Sequence, residues 1–288
     1  MDQVKEQLRP VYMVYPGLFP LLMFNYWMKR AKAPIVGIMI SAFDTKHKGR
    51  VLPFYEEVPY FIRRSGLRYG LYLLFIAKLG AQLVVFWNLI RKLRGKKIKL
   101  KTFYQIAKEK DVPVFCSDDF NGAASLNFIK RVNANLIVSA YNNQILRSRI
   151  INAPRFKVIN IHPGYLPDFR GLDAPFEALY HNVEKAGVTI HYIDTGIDTG
   201  KIIRQELIRV RKNDTLFSLN VRLWMHGAEM LNPVLDMIEE HSVSARKQRP
   251  DKAKYPYKSY PEKERVVEFI KRGGRLISCK DLMRTFKG

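Results

Sequence analysis

The chain alternates short apolar runs with longer segments of helical spacing, most regularly from residue 102 onward. TFYQIAKEKD (102–111) spaces its apolar residues as a helix does. VPVFCS (112–117) reads as a strand, SLNFIKRVN (125–133) as a helix and ANLIVSAY (134–141) as a strand. QILRSRIIN (144–152) follows as a short helix and KVINIH (157–162) as a further strand. This β-α-β-α-β rhythm predicts an α/β fold with a doubly wound, mostly parallel, Rossmann-like sheet. Upstream, IVGIMIS (35–41) is a short β-branched run of the kind buried on both faces, and it is expected as the first strand of the sheet. AFDTKHKGR (42–50) then reads as a polar loop. Downstream, 171–182 predicts a helix, VTIHYID (188–194) and 202–210 predict strands, and 264–273 predicts a last helix. Residues 215–241 carry Leu216, Leu219, Leu223, Met230, Leu231, Leu235 and Ile238 at helical spacing, with Asp214 or Thr215 as the cap.

Two apolar stretches stand outside this rhythm. Residues 11–28 are uncharged and aromatic, and Pro16 and Pro20 interrupt them. Lys29, Arg30 and Lys32 follow rather than precede the run, which is the wrong order for a cleavable signal peptide. They are expected to form an aromatic N-terminal arm (1–33) outside a catalytic domain (34–241). Residues 69–90 contain one charge, Lys78, and approach the ~20 residues of a bilayer-spanning helix. They run directly into RKLRGKKIKLK (91–101). Three readings are open: a buried or partner-covered helix pair hinged near Gly80, an interfacial helix on an anionic membrane, or a spanning helix. The last is disfavoured because the strands on either side belong to one sheet. Residues 51–101 are thus an apolar and basic insertion, and 242–288 a basic, turn-rich C-terminal extension.

Charge adds a constraint on partners. Lys and Arg total 49 against 26 acidic residues, a net charge of +23, which attracts nucleic acid, anionic lipid or phosphorylated small molecules. A generally basic, soluble surface is the alternative. Cys116 and Cys279 lack metal-ligand spacing and read as free thiols in a reducing compartment.

Candidate chemistry concentrates between residues 158 and 203. In NIHPGYLP (160–167), Asn160 and His162 are two apart, so on a strand they share a face, and Pro163-Gly164 ends the strand beside them. DFRG (168–171) follows as a loop. HYIDTGIDTG (191–200) supplies two Asp-Thr-Gly turns after a strand. Asn and protonated His can donate to a developing oxyanion, and a nearby Asp would orient the imidazole. No Ser, Cys or Lys stands ready as a nucleophile, so attack by the substrate's own amine or by water is favoured. Spacing alone leaves a plainer reading open, in which Asn160 and His162 cap a strand and the Asp-Thr-Gly segments are only turns. His191 reads as structural, His226 as a core or interface residue, and His47 and His181 as surface residues.

NIHPGYLPDFRG (160–171), followed by GVTIHYIDTGIDTGKII (187–203), resembles the N10-formyltetrahydrofolate-dependent formyltransferases. That family acts on glycinamide ribonucleotide, methionyl-tRNA and amino sugars. The likeness is strong over 102–240, weaker at 35–41, and absent at both ends. It implies catalytic roles for Asn160, His162 and Asp198. It also implies a pterin site at Val138, Ser139, Ala140, Tyr141, Gln144 and Ile145, and at Ile193, Asp194, Thr195, Gly196 and Ile197. The implied co-substrate is 10-formyltetrahydrofolate, with no metal.

The acceptor is expected to be a primary amine of an amino sugar, phosphorylated, nucleotide-linked or presented at an anionic membrane surface. Methionyl-tRNA stands second: the residues after 241 are too few for a tRNA-binding β domain, and no long basic insertion follows Arg170. Deformylation by water stands third, since deformylases carry an N-terminal regulatory domain not seen here. A non-catalytic folate-binding or scaffold protein is disfavoured by the intact trio. The expected location is cytoplasmic or peripheral at the inner membrane face, and oligomerisation is left open.

Overall fold

The computed structural model describes residues 7–42, 45–47 and 50–287. One open sheet has the order β5-β2-β1-β6-β7-β8-β9. Its strands are β1 (Pro10–Val14), β2 (Gly37–Ser41), β5 (Val114–Ser117), β6 (Leu136–Ala140), β7 (Val158–His162), β8 (Lys185–Tyr192) and β9 (Ile202–Arg209). β5, β2, β1, β6 and β7 are parallel, whereas β8 runs antiparallel to β7 and β9 antiparallel to β8. The doubly wound expectation therefore holds, with an antiparallel edge.

The expected N-terminal arm is overturned. Residues 10–14 are the middle strand of the five parallel ones, so 35–41 contributes the second strand of the chain rather than the first. Every residue of β1 is buried. Tyr12 and Val14 enter the core on one face of the sheet, Val11 and Met13 the core on the other. Two buried faces erase the polar alternation that marks a strand at a surface. α1 (Leu18–Met28) is apolar all round for the same reason, a pattern that belongs to a helix enclosed on every side. It lies against α9 (Leu216–Glu239), where Trp27 Nε1 donates to Asn232 Oδ1 at 2.9 Å. Thr215 caps α9 in a reciprocal pair with Ser218.

An antiparallel hairpin, β3 (Thr45–His47) and β4 (Arg50–Leu52), leads into the insertion where a loop was expected over 42–50. The His47 side chain lies outside the described residues. Next come α2 (Phe54–Ser65), α3 (Leu67–Leu74), a π-turn (Phe75–Leu79) and α4 (Gly80–Leu93). The last three form one 27-residue helix, long and apolar enough by composition to cross a membrane. Its buried residues Tyr69, Tyr72, Leu73, Ile76, Gly80, Val84 and Asn88 recur every three or four positions, so one stripe faces the protein. Tyr69 hydroxyl bonds Asp173, Gly80 lies against Leu18, and Asn88 Nδ2 donates to the Leu100 carbonyl at 2.5 Å. Both ends of the helix thus rest on the same body.

α5 (Phe103–Glu109), α6 (Ala123–Arg131), α7 (Ser148–Ile151) and α8 (Ala174–Tyr180) complete the α/β core; α7 is shorter than its apolar spacing suggests. The C-terminal extension is integral, contrary to its tail-like composition. Arg246 and Ile202 exchange backbone hydrogen bonds of 2.8 Å. Val266 and Phe269 of α10 (Lys263–Lys271) and Leu276 join the main core, and Arg265 grips the buried Glu177 at 2.6 and 2.8 Å. α11 (Cys279–Lys287) ends the described chain. Cys116 and Cys279 are free and exposed.

Candidate active site

Strand register assembles the site. Ser139 of β6 is the lateral partner of Asn160 on β7, and Asn160 that of His191 on β8. Directly opposed residues share a face and touch. Asn160 Nδ2 lies 3.2 Å from His191 Nε2. On the other ring nitrogen, His191 Nδ1 lies 2.8 Å from its neighbour's carbonyl, Tyr192 O. Only a protonated nitrogen can face a carbonyl oxygen, so Nδ1 carries the hydrogen and Nε2 accepts from the Asn160 amide. Burial lowers the His191 pKa below its ordinary value and keeps the ring neutral; the nearby Asp198 opposes this only in part. A register shift at Ile190/His191 marks a bulge that re-aims this side chain.

His162 is two residues along β7 and buried. Its Nε2 donates to the Phe169 carbonyl at 2.9 Å, which leaves Nδ1 facing Asp198 Oδ2 at 3.7 Å. Asp198 Oδ1 is also 3.7 Å from His191 Nε2, so one carboxylate bridges two imidazoles. The Gly171 amide donates to Oδ2 at 3.0 Å. Asp198 has φ +53°, a left-handed conformation that Asp tolerates better than most side chains. Asp194 staples the same loop, accepting from Gly196 N at 3.1 Å and Thr199 Oγ1 at 2.7 Å. Gln248 holds it from below, donating to the carbonyls of Asp198 (3.1 Å) and Gly200 (2.6 Å).

The C-terminal segment also shapes the loop after β7. Phe169 N donates to Tyr255 O, Lys258 N to Arg170 O and Leu172 N to Lys258 O, all within 3.1 Å. Gly171 permits this approach: its φ is +112°, and a Cβ there would sit 1.9 Å from Lys258 O.

The trio lines a cavity of about 780 Å³. Of the expected pterin-site residues, Ser139, Tyr141, Gln144, Ile145, Ile193, Asp194, Gly196 and Ile197 line it too. Val138 and Ala140 turn into the core instead, and Thr195 lies outside the lining. Gln144 ties strand ends together through Ser41 Oγ, Ser117 O and Phe120 N. Ser139 Oγ is buried without a hydrogen-bond partner, which a ligand in the cavity would supply.

Sequence reasoning missed the remaining lining, including Tyr72, Asp173, Asn220 and Tyr260. Asp173 caps α8, accepting from Phe176 N at 3.2 Å and from the Tyr69 hydroxyl. Burial pushes its carboxyl up to about 7, against the pull of those two hydrogen bonds. His191 was read as structural, yet it holds the Asn160 amide. Its signal is its strand position opposite Asn160, which needs the pairing of β7 with β8. His226, by contrast, pairs with Glu206 and Glu229, and His181 with Glu177. Among the described residues no cluster of three His, Cys, Asp or Glu could hold a metal ion.

An open α/β sheet thus carries Asn160, His162 and Asp198 together at its strand ends, on the wall of one cavity. The Formyl transferase family model matches residues 94–235, and over that span the chain is similar to this family. It is 32% identical over 155 residues to a methionyl-tRNA formyltransferase of Fusobacterium nucleatum subsp. nucleatum, covering 54% of this chain and 50% of the relative. A methionyl-tRNA formyltransferase of Sulfurihydrogenibium sp. is 31% identical, covering 61% of this chain and 57% of the relative. The chain thus spans about half the length of the curated relatives it matches. The fold resembles glycinamide ribonucleotide transformylase 1 from Symbiobacterium toebii, with a TM-score of 0.55, 17% identity, and coverage of 86% of this chain and 100% of that one. An N-formyltransferase from Helicobacter canadensis, in complex with folinic acid and dTDP-3-aminofucose, gives 0.55 and 17%, covering 88% and 71%. At such identity these two show the fold.

Proposed function

We propose that the protein transfers a formyl group from 10-formyltetrahydrofolate to a primary amine. The observation that carries this reading is the pairing of Asn160 and His162 on one cavity wall, with Asp198 bridging His162 and His191. The folate supplies an activated formyl carbon, and the orphaned Ser139 hydroxyl, Gln144 and the 193–197 loop offer it a polar cradle. The acceptor amine attacks that carbon directly. Charge developing on the formyl oxygen is met by the Asn160 N–H that His191 does not use, and by His162 protonated at Nδ1. Asp198 balances the imidazolium and relays the amine's proton toward the leaving nitrogen. Preorganised donors of this kind contribute ~10²–10³ in rate apiece.

For the acceptor, we infer an amino sugar. Support comes from the Asp173 side of the cavity, where Tyr72, Tyr141, Tyr260 and Asn220 offer aromatic faces and hydrogen-bonding groups suited to a polyhydroxyl ring. A second reading, methionyl-tRNA, has the sequence relatives behind it; by sequence alone it leads. One experiment separates them: tetrahydrofolate release is followed with free, phosphorylated and nucleotide-linked amino sugars, with methionyl-tRNA, and with no acceptor. Release with an amino sugar alone supports the first reading, and release with methionyl-tRNA alone replaces it. Equal release without any amine identifies a hydrolase and overturns formyl transfer.

A further inference from the structure

The outer face of the 67–93 helix is apolar and uncovered. Leu71, Leu83, Val85, Phe86, Leu89 and Leu93 are each more than two-fifths exposed, and Trp87 lies among them. At about 1.5 Å per residue the helix lies ~40 Å along the protein, with its opposite stripe buried. In its last turn and just beyond it, Lys92, Arg94, Lys96 and Lys97 are exposed. No acidic residue occurs between Glu57 and Glu109. Apolar surface of this extent on a soluble domain marks an interaction site.

We propose that this helix docks the protein on an anionic lipid bilayer, lying in the interfacial plane. The apolar face enters the acyl boundary, and the basic run meets headgroup phosphates. Charge selects lipid over the other occupants. A second copy would bring two acid-free basic surfaces together at a net charge of +23 each, and nucleic acid would satisfy the basic run but leave Phe86 and Leu89 in water. The inner stripe of the same helix, Tyr72, Leu73 and Ile76, walls the cavity, so docking sets the reaction site beside the lipid. The inference stands independently of formyl transfer.

The test is flotation of the full chain with vesicles of phosphatidylglycerol in phosphatidylcholine, against phosphatidylcholine alone. Binding is expected only with the anionic vesicles, weakened by salt. Replacing Arg94, Lys96 and Lys97 by Gln should weaken it about 100-fold, at roughly fivefold per basic residue. Phe86→Glu with Leu89→Glu should abolish it and leave folate turnover in solution unchanged. Trp27 and Trp224 are buried, so a blue shift of wild-type emission on adding vesicles reports Trp87 entering lipid. Absence of flotation and of the blue shift at low salt overturns the proposal, as does flotation undiminished in the Phe86/Leu89 variant. A dimer in solution that Phe86→Glu disrupts, without vesicle binding, gives the face to a second copy.

Discussion

The Asn160 amide nitrogen stands 3.2 Å from the unprotonated Nε2 of His191, so the proposed oxyanion donor is aimed by a neighbour outside the Asn-His-Asp trio. One N–H of the carboxamide is spent on the ring and the other is thereby directed. The arrangement requires a neutral His191, which its burial favours.

His191→Phe should reduce kcat about fivefold, the rate equivalent of losing one hydrogen bond of ~1 kcal/mol, with KM for the folate little changed. His191→Gln, which restores an acceptor, should recover part of the loss. The wild-type rate should also fall on an acid limb below the ordinary imidazole pKa as His191 protonates and stops accepting. The Gln variant should lack that component. A pH profile identical in both would make His191 merely structural.

Asn160→Ala and His162→Ala should each cut turnover by ~10²–10³, and the double variant by much less than the product, because both serve one oxygen. Single-turnover rates decide this. Wild-type-like rates in either single variant would remove the mechanism.

Asp173 predicts how stability varies with pH. Its folded pKa of about 7 exceeds the ordinary carboxyl value. Between about pH 4 and 7 the folded state therefore holds a proton that the unfolded state has released. Its contribution is present at low pH and lost as pH rises through about 7. Asp173→Asn keeps the cap without titrating. Relative to this variant, wild type should lose on the order of 4 kcal/mol over that window, read as Tm against pH. Parallel Tm curves would contradict it.

Gln248→Ala leaves two loop carbonyls without their donor and should cost ~1–3 kcal/mol. Because one of them belongs to Asp198, turnover should fall as well. Denaturant unfolding together with initial rates tests both halves. Unchanged activity at reduced stability would detach this buttress from catalysis.

β6 and β7 were legible although both of their faces are buried, because polar turns and helices of mixed polarity separate them and NIHPG marks a strand end within a few residues. α9 was legible from its apolar spacing. Residues 10–28 were illegible because β1 runs almost directly into α1, itself enclosed on all sides, with no polar segment to punctuate the change. Trp27→Ala should accordingly cost ~3–5 kcal/mol, where a detached arm would cost almost nothing. The basic segment 242–258 was opaque because its role lies in backbone hydrogen bonds to Asp198, Gly200 and residues 169–172, which composition does not encode. Asp173 belongs to the same class, since only the fold brings Tyr69 to it.

The strand-like pairing of residues 255–258 with the loop carrying Phe169 has a consequence for biosynthesis. While a ribosome still encloses Gln248 and Tyr255, β1 to β9 can already be outside, yet the Asp198 loop and the His162 partner lack their supports. A nascent chain would thus hold the sheet before it holds a finished reaction centre, and competence would arrive only after the segment beyond α9 has emerged and folded back.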